Sequence, residues 1–194
     1  MENILNQIVE YLNSIGYLGA LLGCLVILVE SIIPVVPLML FITLNFYVFG
    51  NILGFIMSWV FTCIGCTISY LIFKNGFGNK FEYLTKDKEK INKYKKSFKN
   101  ISLTNLILLI AIPFTPAFLV NIVCGLIKMD FKKYIVAILI GKISLVYFWG
   151  YIGTSLIESI TNPLILIKII ILLLIMFIIS KIVTNYCTYN QKIC

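Results

Sequence analysis

Long apolar runs separated by short polar segments dominate this chain. From Tyr17 to Phe73 the only charged residue is Glu30, and Ser102 to Ile127 carries none. Tyr134 to Ile157 carries only Lys142, and Ser159 to Ser180 only Lys168. A helix of about 20 apolar residues crosses a bilayer, so these are spans or near-spans. With 60% hydrophobic and 12% charged residues, the 194-residue chain has too little polar surface to close a soluble globule. The expected fold is all-α: one polytopic membrane domain, 1–194, with about four spanning helices.

Two Pro-x-x-Pro units interrupt the apolar runs, Pro34/Pro37 and Pro113/Pro116, offset by 79 residues (113 − 34 and 116 − 37). Proline removes a backbone donor and breaks a helix, and broken helices at membrane depth persist only where protein buries them or a cavity adjoins them. Charge then suggests topology. The net charge of +8 comes from sixteen lysines, nine of them between Lys74 and Lys99, with a second cluster at Lys128, Lys132 and Lys133. Beside spans, such clusters mark the cytoplasmic face rather than a nucleic-acid site.

If both clusters are cytoplasmic, residues 102–127, too few for two spans, form a re-entrant hairpin turning at Pro113 to Pro116; a single proline-kinked span is the competing reading. By the same reasoning 34–50 forms a hairpin opening on the other side, within a first half of 17–74. The second half is 102–157. A last span, 163–184, returns to a cytoplasmic tail, 185–194, with the N-terminus also cytoplasmic. No secretory signal peptide is read at the N-terminus. All-lysine basic usage with many Ile and Asn residues suggests an AT-rich, bacterial genome.

Two segments are amphipathic. Ile4, Leu5, Ile8, Tyr11 and Leu12 follow helical spacing, predicting an interfacial helix over 3–13. Phe77, Phe81, Leu84, Ile91, Tyr94, Phe98 and Ile101 put an apolar stripe along 75–101, with most lysines opposite. That helix suits anionic headgroups, at roughly 1 kcal/mol per well-placed lysine; a merely solvated helix is the alternative. The halves also share an order of features. Pro34 and Pro37 are followed by Asn45, Gly50 and Gly65; Pro113 and Pro116 are followed by Asn121, Gly125, Gly141 and Gly153. Opposed hairpins in such an order suggest an inverted repeat, with the glycines allowing close helix packing.

At these residues the sequence resembles the DedA superfamily, also called the VTT or SNARE-associated Golgi protein family, in particular its TVP/TMEM-type bacterial branch. The matching stretches are Glu30 to Pro37, Ile112 to Leu126, Gly141-Lys142 and Tyr151-Ile152-Gly153. The resemblance implies two opposed re-entrant hairpins and a role in moving lipids across the bilayer, as in phospholipid scramblases and carrier-lipid flippases. Glu30 matches the family's membrane-embedded acid. Many relatives carry arginine at the position of Ile110, classical DedA proteins another at Pro116, and a second acid in the first hairpin is missing here.

Glu30 and Lys142 are the only charged residues near the centre of the repeat, and each is costly in a span, by about 2.5–3.5 kcal/mol. They suit a mutual ion pair, a headgroup site or a proton relay, while a purely structural pair holding the hairpin is equally in view. Asn45 and Asn121 suit hairpin backbone satisfaction or headgroup donation. Lys168 suits snorkelling to headgroups. Cys63 and Cys66 have CxxC spacing, but inside an apolar run they read as helix packing. With no histidine, no acidic cluster and no nucleotide motif, the expectation is a non-enzyme without cofactors or metal. Lipid transport heads the readings, before a proton- or ion-coupled solute transporter and a membrane assembly factor; a homo-oligomer is compatible with each.

Overall fold

The computed structural model describes residues 22–32, 38–77, 98–115, 117–159 and 162–190, and among them the protein is all-helical. We label the helices α1 (Leu22–Ile32), α2 (Leu38–Ile72), α3 (Leu103–Ala111), α4 (Ala117–Leu126), α5 (Phe131–Glu158) and α6 (Leu164–Asn190). Pro34, Pro37 and Pro116, the expected interfacial helix 3–13 and most of the lysine-rich helix 75–101 lie outside the described residues. The last helix runs to Asn190, six residues beyond the expected end of the span.

Helix α2 is two helices joined at Gly50, whose φ of 75° and ψ of 177° are closed to residues with a Cβ. Asn45 Nδ2 donates to Ser58 Oγ at 3.0 Å, whereas thirteen residues along a straight helix span about 20 Å. A Cβ on Gly54 would meet Asn45 O at 2.5 Å. The chain therefore reverses at Gly50, and 38–49 lies antiparallel to 51–72. This corrects the expectation of a self-contained hairpin over 34–50. Residues 38–49 form a single helical arm, and its other neighbour is α1, since Asn45 Nδ2 also donates to Cys24 Sγ at 3.4 Å. The first hairpin thus comprises α1 and 38–49, with the prolines between them. A glycine flanked by apolar residues carried the reversal where no polar residue marked it.

The second hairpin is α3 and α4. Ser102 caps α3 by accepting from Asn105 N at 3.1 Å. Ile112, preceding Pro113, is extended (ψ 126°), as the proline ring demands, and the turn closes with Thr115 N donating to Ile112 O. Both ends meet the start of α5: Lys133 Nζ donates to Ile101 O, and Met129 adjoins the N-cap Asp130. Helix α4 ends in a Schellman pattern, with Met129 N donating to Cys124 O and Lys128 N to Gly125 O, and Lys128 at φ 52°.

The long arms 51–72 and α5 run antiparallel through the core. Tyr70 stacks on Tyr134 with ring centroids 4.2 Å apart at one end, and the Phe46 ring lies against Gly150 towards the other. Three helical stretches of the described residues are long and apolar enough to span a membrane: Leu38–Gly76, which includes the Gly50 reversal, Phe131–Glu158 and Leu164–Thr184. Of the expected first span, α1 provides only Leu22–Ile32 among the described residues. Helix α6 is peripheral: 11% of its apolar window is buried, against 50% for α5. It is clipped to the tip of the second hairpin by Phe177 meeting Phe114 edge-on, centroids 5.8 Å apart.

Packing density at the glycines gives a direct test. A Cβ on Gly65 would sit 2.6 Å from Leu28 O, inside any real contact, whereas on Gly23 its neighbours stand at 3.3 Å and beyond. Overpacking costs about 1–3 kcal/mol, and replacing a helical glycine by alanine returns roughly 1 kcal/mol. Gly65→Ala should therefore lower the melting temperature in detergent, while Gly23→Ala should leave it near that of the wild type; equal melting temperatures would contradict the packing.

Candidate functional site

Each half repeats one construction. Asn45 bonds Ser58 thirteen residues on, and Asn121 bonds Tyr134, also thirteen residues on. Twenty residues after each asparagine (65 − 45 and 141 − 121) comes a glycine of the long arm that receives the arm before the prolines. A Cβ on Gly65 would stand 2.6 Å from Leu28 O and 2.7 Å from Ser31 Cβ, and one on Gly141 3.1 Å from Ile107 O and 2.8 Å from Ile110 Cβ. Leu28 and Ser31 stand six and three residues before Pro34, as Ile107 and Ile110 stand before Pro113. Because the long arms are antiparallel, the two constructions are inverted with respect to one another. The first hairpin opens at the Gly50 end of the bundle and the second at the Lys128 end.

The remaining paired glycines are not equivalent. Gly50 supplies the left-handed turn, whereas Gly125 is helical and lies against the Tyr70 carbonyl. Gly153 receives Thr43 so closely that side chain and backbone are in direct contact. Pro113 forms the second tip, where Phe114 also meets Trp149 edge-on.

Both asparagines are fully buried, and both bond side chains rather than hairpin backbone. Asn45 joins α1 and both arms of α2, leaving Oδ1 without a partner. Tyr134 Oη lies 2.9 Å from both Asn121 Oδ1 and Cys66 O. One phenolic hydrogen cannot serve two acceptors. Turning the Asn121 amide over lets Nδ2, otherwise unpartnered, donate to Tyr134 Oη, which then donates to Cys66 O. These partners are not legible in the sequence, because Ser58 and Tyr134 differ in kind.

Lys142, 2% exposed, is buried on α5. It attracts half-buried Glu30 of α1 and lies near Cys63 of the long arm. The attraction is longer-ranged than a closed ion pair: among the described residues no nitrogen–oxygen approach within 4.0 Å joins them. The structure thus brings Glu30 and Lys142 together, and sets Asn45 and Asn121 apart as anchors of the two hairpins. Among the described residues no group of three or more His, Cys, Asp or Glu side chains is arranged to hold a metal.

The chain matches the VTT domain over residues 33–155, well over half its length. It belongs to the VTT-domain family. The VTT match takes in both asparagines, Lys142 and all four hairpin prolines; Glu30 lies three residues before it and α6 beyond it. The chain is similar to the uncharacterized membrane protein YhjE of Bacillus subtilis (strain 168), 27% identical over 180 residues covering 93% of this chain and 87% of the relative. It is also similar to the uncharacterized protein YqeD of the same organism, 27% identical over 128 residues, 66% of this chain and 62% of that protein. No solved structure matches. These relationships and the apolar helices establish a membrane protein.

Removing the Tyr134 hydroxyl strands the buried Asn121 amide and takes from Cys66 O the bond it makes beyond its own helix, at about 1–3 kcal/mol. Tyr134→Phe should lower stability in denaturant titration by that amount without disturbing the Tyr70 stack. Wild-type stability would show that the network is not formed.

Proposed function

We propose that this VTT-domain protein is a membrane lipid transporter of the scramblase or carrier-lipid flippase type. The observation that carries this reading is the pair of inverted, proline-broken hairpins enclosing Glu30 and Lys142. Transporters build midplane sites from broken helices in inverted repeats, and buried charges within spans are costly enough to mark a path for a polar group. In this reading Lys142 meets the headgroup phosphate, and Glu30 limits its dwell by competing for the same ammonium. The protein acts as a carrier, without enzymatic chemistry or cofactor.

Placement follows from the lysines. Lys74, Lys128, Lys132 and Lys133 gather where the second hairpin opens, and the positive-inside rule assigns that end to the cytoplasm. The arms of the second hairpin, nine and ten residues or about 14–15 Å, match about half the hydrocarbon thickness, which supports a re-entrant hairpin. Anionic headgroups bind at that face, the termini are cytoplasmic, and the location is a bacterial cell membrane. In a cysteine-free background, Asn51→Cys should label from outside and Lys132→Cys from inside; labelling from one side would refute the arrangement.

The transport test uses proteoliposomes carrying a fluorescent-headgroup phospholipid and an impermeant quencher. Wild-type protein should expose inner-leaflet lipid, and Lys142→Met should slow exposure about tenfold or more, the loss expected for one charge-assisted hydrogen bond. Exposure no faster than in empty vesicles would sink the proposal. Proton uptake abolished by Glu30→Gln without lipid movement would favour an ion-coupled solute transporter instead.

A further inference from the structure

The outward face of α5 carries a seam. Ile140, Ser144, Tyr147 and Tyr151 follow one another at four, three and four residues, so that Ile140 recurs as Tyr147 and Ser144 as Tyr151 after seven. All four are exposed, Tyr147 by 64% and Tyr151 by 53%, and together they run about 16 Å along the helix. Three of the four bear a hydroxyl. Lys142 stands two residues from both Ile140 and Ser144, about 200° of helical turn, so the seam lies on the opposite side of α5 from that buried ammonium.

Depth makes these hydroxyls costly. Ser144 is thirteen residues from Phe131 and fourteen from Glu158 (144 − 131 and 158 − 144), about 20 Å from either end of the helix, and Tyr147 follows one turn later. An aromatic belt accounts for tyrosine at the membrane surface, which suits Tyr151 but not the middle of a span. Elsewhere in the bundle, hydroxyls turn back on their own helix: Ser31, Thr43, Thr62, Thr67 and Thr154 each donate to the carbonyl four residues earlier, at 2.6–3.0 Å. Among the described residues, Ser144 and Tyr147 make no hydrogen bond. Acyl chains offer neither donor nor acceptor, so whatever covers the seam at this depth must bring polar groups of its own. The seam is uncharged and holds no counter-ion for a phosphate or an ammonium. A second α5 brings the matching set, because serine and tyrosine hydroxyls each donate and accept. Copies of one membrane protein share an orientation, and a two-fold axis along the membrane normal then sets the two helices parallel, with equal residues at equal depth. Recurrence after seven residues is the spacing of a left-handed helix pair.

We propose that the chain forms a symmetric dimer through the α5 seam, with Ser144 and Tyr147 of each copy hydrogen-bonding across the interface and Ile140 and Tyr151 packing on either side of them. The partner is a second copy of this chain. Because Lys142 lies on the far side of α5, the dimer stands or falls apart from the transport reading.

The test is energy transfer between full-length copies labelled at the N-terminus with donor or acceptor and reconstituted in phosphatidylethanolamine–phosphatidylglycerol vesicles. Transfer should persist on dilution with lipid, above the level of random proximity. Ser144→Ala and Tyr147→Phe together should weaken association about tenfold, a few-fold for each pair of hydrogen bonds lost, with the melting temperature of the detergent-solubilised monomer unchanged. In a cysteine-free background, mild oxidation should link Ser144→Cys into a covalent dimer, since equal residues meet at a two-fold axis, and should not link Leu174→Cys on the exposed back of α6. Transfer no higher than random proximity in the wild type, association unchanged in the double variant, or oxidation that links Leu174→Cys and not Ser144→Cys overturns the proposal. Native mass spectrometry separates the other occupant: a monomer carrying a phospholipid that the double variant loses would mean that lipid covers the seam, and would refute the dimer.

Discussion

Everything in this fold depends on one close approach, made twice: the backbone of the arm before a proline break lying directly on a glycine of a long helix. Within lipid there is no hydrophobic force to press helices together, so van der Waals contact and internal hydrogen bonds must hold them. A broken helix is the worst case, because the break forfeits backbone bonds that only neighbouring protein can shield. At Gly65 and Gly141 the missing side chain removes the spacer that would hold the broken arm away. The distance from glycine back to asparagine is then fixed, and the asparagine fixes where the returning arm lies against the long one.

The sequence made half of this readable. Counting charges along the apolar runs located the end of α5 and the start of α6 to within a residue, because lysine and glutamate are costly in spans and therefore rare there. Pro113 located the tip of the second hairpin, since few residues can turn a helix at that depth. Gly50 was harder. It sits in a run without a charge from Ser31 to Phe73, and a reversal there requires no polar residue, only a residue free to take positive φ. A straight reading therefore placed the first hairpin between the prolines and Gly50, instead of on either side of the prolines.

The anchors show a different limit. Asn45 and Asn121 stood out as lone amides in apolar surroundings, but their partners did not, because a serine in one half does the work of a tyrosine in the other. Repeats of geometry outlast repeats of residue type.

The duplicated scaffold has no inherent sidedness, yet the charges do. Glu30 stands four residues before its proline, and the counterpart four residues before Pro113 is Leu109; Lys142 stands twenty-one residues after its asparagine, and the counterpart of that place is Cys66. Leu109 and Cys66 are buried almost completely, whereas Glu30 is half open. One of two equivalent places in the frame thus carries charge, and its twin is filled by apolar packing. The two ends of the same duplicated frame therefore present unlike surfaces to the two sides of the membrane.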